Sequence, residues 1–131
     1  MNLADFVNQQ RHRPFVWGEH DCCLMAADWL KANGRGDLAA EFRGKYTTAF
    51  GAIRAYRREG YFSIADLLAA KLGEPTSTLL LRRGAVVLLD TPTGDVVGLY
   101  QGSDCFALGP DGLVSYPKTQ IKQGWNVLWV R

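Results

Sequence analysis

The segment Trp17-Gly18-Glu19-His20-Asp21-Cys22-Cys23 connects a polar turn to the beginning of an amphipathic pattern. Asp21 belongs to the residue types that cap helix N-termini through a side-chain oxygen. After it, apolar residues recur at positions i, i+3, i+4, i+7 and i+8, which is the spacing of one helix face. These residues are Cys22, Met25, Ala26, Trp29 and Leu30. The pattern therefore predicts a helix that is capped by Asp21, runs to about Ala32 and carries Cys22 in its first turn.

The thiol of Cys22 has two interpretations at this place in the chain. The first turn of a helix offers unpaired backbone N–H groups and the positive end of the helix dipole, and both favour a thiolate. Because the thiolate is the nucleophilic form of cysteine, this location predicts a pKa below the usual value of about 8.5. Alternatively, Cys22 is a small buried core residue at the start of the apolar stripe, as free cysteines commonly are.

The residues before Gly73 are rich in alanine, leucine and charged side chains, and helical periodicity is frequent among them. Capping residues and apolar spacing predict further helices in this half. Their ranges are Leu3–Gln10, Thr48–Glu59 and Ser63–Lys71, with a short helix at Leu38–Phe42. The cations at positions 54, 57 and 58 are expected to form a solvated face of the Thr48–Glu59 helix.

After Gly73, valine, glycine and aromatic residues occur in short runs separated by turn residues. These runs predict strands at Ala85–Leu89, Val96–Gln101, Cys105–Leu108, Leu113–Tyr116 and Trp125–Val130. Short loops between successive strands imply an antiparallel meander. Trp29, Trp125 and Trp129 are expected to be core aromatics. Helices followed by strands indicate a single α+β domain over residues 1–131, with a helical half at about 1–73 and a strand half at about 79–131.

Composition excludes several classes of function. The net charge of +2 is too small to indicate nucleic-acid binding, and no apolar stretch approaches the length of a membrane span. The first residues lack the apolar core of a signal peptide, so the chain is expected to be made and to fold in the cytoplasm. The odd number of cysteines argues against a disulfide framework, and their spacing predicts no metal site and no cofactor. Cys23 and Cys105 are expected to be core residues.

Three stretches together resemble the NlpC-type cell-wall peptidases. Asp21-Cys22 followed by a small and apolar helix is similar to the Asp-Cys-Ser-Gly start of the catalytic helix in that family. Arg83–Leu89 resembles its Gly-Asp-Leu-Val-Phe-Phe strand, and Val96–Gly102 resembles its His-Val-Gly-Ile-Tyr-Leu-Gly strand. The order along the chain is the same. The resemblance implies a papain-like fold, with N-terminal helices packed on a C-terminal antiparallel β-meander and Cys22 at the place of the nucleophile.

The resemblance fails at the residues that assist the nucleophile. The catalytic histidine of the family aligns with Val96, and the residue that orients it falls near Leu108. A cysteine peptidase needs a base within hydrogen-bond reach of its thiol, and an apolar side chain cannot serve. His20, on the loop before the helix, is the nearest candidate for a substitute base. Asp95 neighbours the histidine position, but strand alternation is expected to point it to the opposite face.

Two functions follow from this pattern. The Trp-Gly…Asp-Cys opening and the closing Gly-Trp-Asn-Val-Leu-Trp-Val resemble short phage and prophage proteins encoded among tail genes. The first function is therefore a structural or assembly component with a degenerate peptidase site, which binds other tail proteins either as a part of the virion tail or as a cytoplasmic assembly factor. The alternative is an active cysteine peptidase or amidase that cleaves peptidoglycan peptides as the phage penetrates the cell wall, with Cys22 as nucleophile and a non-standard base.

A cleft is expected between the start of the cysteine helix and the strand that faces it. Its rim would be formed by Trp17, Glu19 and His20, with Asp95 and Val96 at the near end of the strand. A valine in place of a polar base makes the cleft more apolar, which suits a protein side chain better than a water molecule. The cleft is therefore expected to be sealed by its own aromatic residues or occupied by a segment of a partner.

Overall fold

Helices occupy the first part of the chain and strands the second in the computed structural model, which describes residues 1–128. The helices are α1 (Leu3–Arg11), α2 (Cys22–Ala32), α3 (Ala49–Arg58) and α4 (Ile64–Leu72). The strands are β1 (Val86–Thr91), β2 (Gly94–Tyr100), β3 (Asp104–Gly109), β4 (Gly112–Pro117) and β5 (Ile121–Trp125). Single turns of 3-10 helix lie at Thr78–Leu80 and Lys118–Gln120. The predicted α+β class and the predicted long helices are confirmed.

Each α-helix begins after a polar residue whose side chain accepts a backbone N–H from the first turn. These caps are Asn2, Asp21, Thr48 and Ser63. The caps satisfy donors that a helix start would otherwise leave unpaired, so the boundaries follow the sequence closely.

The short helix predicted at Leu38–Phe42 is wrong, because this segment forms a series of turns. Asp37 competes with helical hydrogen bonding, since its Oδ1 accepts the N–H of Ala39 at 3.1 Å. Arg43 then binds both carboxylate oxygens of Asp37, at 2.7 and 3.1 Å, and closes the segment into a loop. Local side-chain bonds of this kind favour turns over helix.

The sheet has the strand order β4-β3-β2-β1-β5, and all neighbouring strands are antiparallel. The first four strands form the predicted meander. The fifth crosses back and pairs with β1, with Val86 opposite Trp125. The predicted last strand, Trp125–Val130, is therefore misplaced: the strand ends at Trp125, and the N–H of Val127 turns back to the Trp125 carbonyl. Trp129 and Val130 lie outside the described residues.

Both faces of the sheet are covered. The face towards the helices packs against α2 and α4 in a cluster, here called the inner core, that includes Leu24, Trp29 and Val97. The other face carries a smaller cluster, here called the outer core. Its buried members are Ala85, Val87, Leu89, Tyr100, Cys105 and Ala107. The continuous apolar run in β1 is explained by this arrangement, since successive side chains alternate between the two clusters.

Two tryptophans tie the helices to the sheet, as the sequence predicts for core aromatics. The indole N–H of Trp29 donates to the Gly84 carbonyl at 2.9 Å. The indole N–H of Trp125 donates to the Gly73 carbonyl at 2.9 Å. Each ring buries a large apolar surface while its single donor is satisfied by backbone.

Candidate functional site

The loop that leads into α2 is a tight turn between Val16 and His20. The N–H of Val16 donates to the His20 carbonyl at 3.0 Å, and the N–H of His20 donates back at 2.8 Å. Gly18, at the tip, has a φ of 83°, and a Cβ there would lie 2.0 Å from the Tyr46 carbonyl oxygen. The Gly18 carbonyl accepts the N–H of Gly44 at 2.8 Å. The turn is therefore docked against the loop before α3, and only glycine fits at its tip.

Asp21 is a buried carboxylate with three hydrogen-bond donors from three parts of the chain. Its Oδ1 accepts the N–H of Leu24 at 3.0 Å, which is the predicted helix cap. Its Oδ2 accepts the N–H of Gly18 at 3.1 Å and the hydroxyl of Tyr46 at 2.6 Å. Burial and the neighbouring Asp21 charge raise the pKa of Tyr46, so its hydroxyl stays protonated and donates. These bonds compensate the cost of burying the carboxylate.

Cys22 is the first residue of α2, and it packs against the inner core. The residue as a whole is partly buried, but enclosure of the thiol raises its pKa to about 11. Burial is the largest cause; backbone of Val97 and of the helix start acts in the opposite direction, and the Asp21 charge adds to the rise. The expected lowering by the helix N-terminus is thus outweighed by loss of solvation. At neutral pH the thiol is therefore in its protonated form.

Strand β2 lies against the start of α2 at Val97, whose backbone reaches the Cys22 thiol. The Val97 side chain belongs to the inner core, whereas Val96 packs on the outer core. Val96 therefore does not share a side-chain cluster with Cys22. Strand alternation places Asp95 on the face opposite to Val96 and therefore on the same face as Val97, and its carboxylate is ion-paired with Lys122, 3.0 Å from Nζ.

His20 is almost fully buried, with 2% of its surface exposed. Within the described residues, neither Nδ1 nor Nε2 has a hydrogen-bond partner. Burial and the nearby Arg13 charge lower the pKa of His20, and the carboxylates of Asp28 and Asp21 oppose this only in part. The imidazole is therefore neutral at neutral pH, and it makes no hydrogen bond to the thiol of Cys22.

The remaining rim residues are divided between core and solvent. Trp17 is half-buried, packs on the inner core and meets the Phe15 ring edge-on, with centroids 4.8 Å apart. Glu19 is exposed.

Two grooves on the described surface lie elsewhere. One, of about 460 Å³, lies between residues 11–15 and the β3–β4 turn; the other, of about 290 Å³, lies between residues 78–81 and 118–121.

Sequence reasoning missed the residues that hold the site from a distance. Tyr46 completes the Asp21 site from 25 positions away. Asp28, on α2, is bound by Arg13 at 3.1 Å and by Arg43 at 2.8 Å. The charges of Arg13 and Asp28 act on the pKa of the buried His20 in opposite directions. No local pattern in the sequence signals these pairings, because the partners are brought together only by the packing of loops on α2.

Within residues 1–128, no group of three or more His, Cys, Asp or Glu side chains is placed to hold a metal ion. Over the same range, no helix is long and apolar enough to cross a membrane.

Comparison with known proteins identifies a family. No curated protein matches the chain. The model of one protein family, described as a domain of unknown function (DUF6950), matches residues 1–127. Since that match covers nearly the whole sequence, the chain belongs to the DUF6950 family.

Proposed function

We propose that the protein is a papain-like, NlpC-type domain that serves as a structural or assembly component of a phage or prophage tail and does not hydrolyse peptides. The observation that carries the proposal is the state of Cys22. Its thiol is enclosed at the start of α2, with a pKa raised to about 11. The nearest histidine in the sequence makes no hydrogen bond to it.

The arrangement of elements supports the fold in this proposal. Helices precede an antiparallel sheet, and the cysteine helix packs on strands β2 and β3. The thiol of Cys22 lies against the backbone of Val97, within one residue of the position that the resemblance assigns to the catalytic histidine. The closeness of the Cys22 thiol to strand β2 supports the proposed fold, although the side chain of Val96 lies on the other face of the strand.

The chemistry of peptide hydrolysis argues against turnover here. The thiol must be ionised to attack, and a base must take its proton and return it to the leaving amine. Removal of the base from a catalytic triad costs roughly a millionfold in turnover. Burial of Cys22 would lower the rate further, because it disfavours the thiolate that must attack the peptide bond.

The competing function is an active cysteine peptidase with His20 as a non-standard base. The observation in its favour is that both ring nitrogens of His20 are unpaired within the described residues, two positions from Cys22. Activity would require the turn before α2 to open, which breaks the docking of Gly18 on the loop that contains Tyr46.

The rate of Cys22 alkylation as a function of pH separates the two functions. We expect the rate with iodoacetamide, followed by mass spectrometry of the Cys22 peptide, to rise only towards the raised pKa of about 11. Purified protein should release no peptides from peptidoglycan. An apparent pKa below about 8, which is the range of activated thiols, with release that Cys22→Ala abolishes, would refute the proposal.

The assembly role is tested separately in the phage or prophage that encodes the chain. Deletion of the gene should reduce the yield of infectious particles, whereas Cys22→Ala should leave that yield unchanged because the thiol performs no chemistry. Loss of infectivity in Cys22→Ala, with thermal unfolding like that of the wild type, would contradict a purely structural role.

A further inference from the structure

Helix α3 has two faces of different character. Ala52, Ala55 and Tyr56 are buried and hold the helix on the inner core. On the other side, Phe50 is 74% exposed and Ile53 is 46% exposed. Residues 50, 53, 54 and 57 follow the spacing i, i+3, i+4 and i+7, so they share one side of the helix.

The same side carries two arginines, and a third, Arg58, lies next to it. Arg54, Arg57 and Arg58 are exposed, and none forms an ion pair with any residue in the range 1–128. This differs from Arg43 and Lys71, which are held by carboxylates at 2.7 Å. The exposed face of α3 thus combines two exposed apolar side chains with unpaired positive charge.

We propose that this face, formed by Phe50, Ile53, Arg54 and Arg57 and here called the α3 face, docks an acidic amphipathic segment of another protein. Apolar side chains of the partner cover Phe50 and Ile53, which are otherwise in contact with water. Carboxylates of the partner accept hydrogen bonds from Arg54 and Arg57, whose planar guanidinium groups suit carboxylates. The α3 face does not involve Cys22, so the inference holds whether or not the thiol is catalytic.

Charge and shape favour a protein segment over other partners. Nucleic acid could stack bases on Phe50, but the net charge of only +2 does not favour a polyanion as the partner. A membrane surface requires a broad apolar face that enters the lipid, whereas α3 exposes two apolar side chains and is fixed to the core by its other side. An acidic helix or loop with two or three apolar side chains matches both features at once.

A labelled synthetic peptide tests the proposal directly. The probe is an amphipathic helix with leucine at positions i and i+3 and glutamate at i+4 and i+7, and binding is measured by fluorescence anisotropy. Both Phe50→Ser/Ile53→Ser and Arg54→Glu/Arg57→Glu should weaken binding by about tenfold or more, as loss of anchor residues does. A peptide with lysine in place of glutamate should prefer the charge-reversed variant.

Arg11→Glu/Lys118→Glu is the matched control, since it makes the same change in net charge at exposed positions away from α3. It should change affinity by less than about twofold at 0.15 M salt, where distant charges are screened. Failure of the acidic peptide to bind, or equal binding by all variants with unchanged thermal unfolding, would overturn the proposal. Binding instead to vesicles of dioleoylphosphatidylglycerol, lost in the same variants, would also overturn it and assign the α3 face to a membrane.

Discussion

Asp21 connects three parts of the chain, although the sequence identifies it only as a helix cap. Its carboxylate accepts donors from α2, from the turn at Gly18 and from Tyr46. With 1% of its surface exposed, none of these bonds can be replaced by bulk water. The consequence is that one side chain fixes both the start of the cysteine helix and the loop in front of it.

Asp21→Asn should therefore destabilise the protein more than a cap substitution at the surface. The amide keeps the shape but turns an NH2 group towards a donor, and an unsatisfied buried group costs about 1–3 kcal/mol. Ser63→Ala removes the cap of α4, whose bond to Asp66 is exposed, and should cost about 0.5–1 kcal/mol. Urea unfolding of both variants measures the difference, and equal losses would show that the added bonds of Asp21 contribute little.

Alanine substitutions at Gly18 and Gly34 distinguish two costs of adding a side chain: a clash with neighbouring atoms and the strain of a positive φ. Both have positive φ, at 83° and 73°, but a Cβ at Gly34 meets no atom within 4 Å. Gly34→Ala should cost about 1 kcal/mol for the left-handed backbone alone. Gly18→Ala adds a clash with the Tyr46 carbonyl, so we expect a loss of about 3 kcal/mol or more. Similar urea midpoints for the two variants would contradict the docked turn.

His20 should make stability depend on pH in a defined direction. Burial lowers its pKa, so below the ordinary value of about 6.5 the unfolded chain binds a proton that the folded protein does not. The free energy of unfolding is then highest above pH 6.5 and falls as pH decreases towards the folded pKa.

His20→Leu should remove this part of the pH dependence. At pH 8 the variant should be about as stable as the wild type, since neither ring nitrogen has a hydrogen-bond partner to lose within the described residues. Urea unfolding at pH 8, 7, 6 and 5 tests this, with the exposed His12→Leu as control. If the free energy of unfolding of His20→Leu changed with pH as it does in the wild type, the histidine would be protonated equally in the folded and unfolded states.

At the scale of elements, the sequence predicts best where local chemistry determines structure. The caps at Asp21, Thr48 and Ser63 and the turn residues of the β3–β4 hairpin act within a few positions, and the structure places these boundaries within one or two residues. The helix predicted at 38–42 is wrong because the hydrogen bonds between Asp37 and Arg43 hold this segment in a loop. The predicted bounds of β5 are wrong because its register is set by pairing with β1, which is distant in sequence.

The candidate site shows the same division. The sequence places Cys22 at a helix start, and this is confirmed. It does not reveal how deeply the thiol and the imidazole of His20 are enclosed, because enclosure depends on the loop around Tyr46 and on strand β2. Of the two interpretations of Cys22, the raised pKa of its thiol favours an enclosed core residue over an activated nucleophile.

At the scale of the whole molecule, the sheet is joined unevenly. Strands β1 and β2 share six Cα pairs, whereas β2 and β3 share two, between Leu99–Tyr100 and Cys105–Phe106. A Cβ at Gly98 would lie 2.7 Å from the Phe106 carbonyl oxygen. The backbone of β3 therefore passes close over β2 at the point where the hydrogen-bonded pairing of the two strands ends. The β3–β4 hairpin is thus attached mainly through side-chain packing.

Hydrogen exchange should report this uneven attachment. Peptides that cover β4 should exchange at a lower free energy than those that cover β1, since few backbone bonds tie the hairpin to the rest of the sheet. Strand β5 is the matched comparison, because it is also at an edge but pairs with β1 at four positions. Equal protection of β4 and β1, measured by mass spectrometry, would show that the sheet opens as one unit.

The crossing of β5 back to β1 has a consequence for synthesis on the ribosome. Because β5 is translated after the other four strands, the apolar strand β1 has an unpaired edge until the last strand emerges. Such edges recruit other chains, so a fragment that ends at Gln120 should sediment as aggregates where the full chain does not. A soluble, monomeric fragment would contradict this. A prematurely terminated chain would then aggregate through its own exposed strand edge before it could take the place of a complete copy.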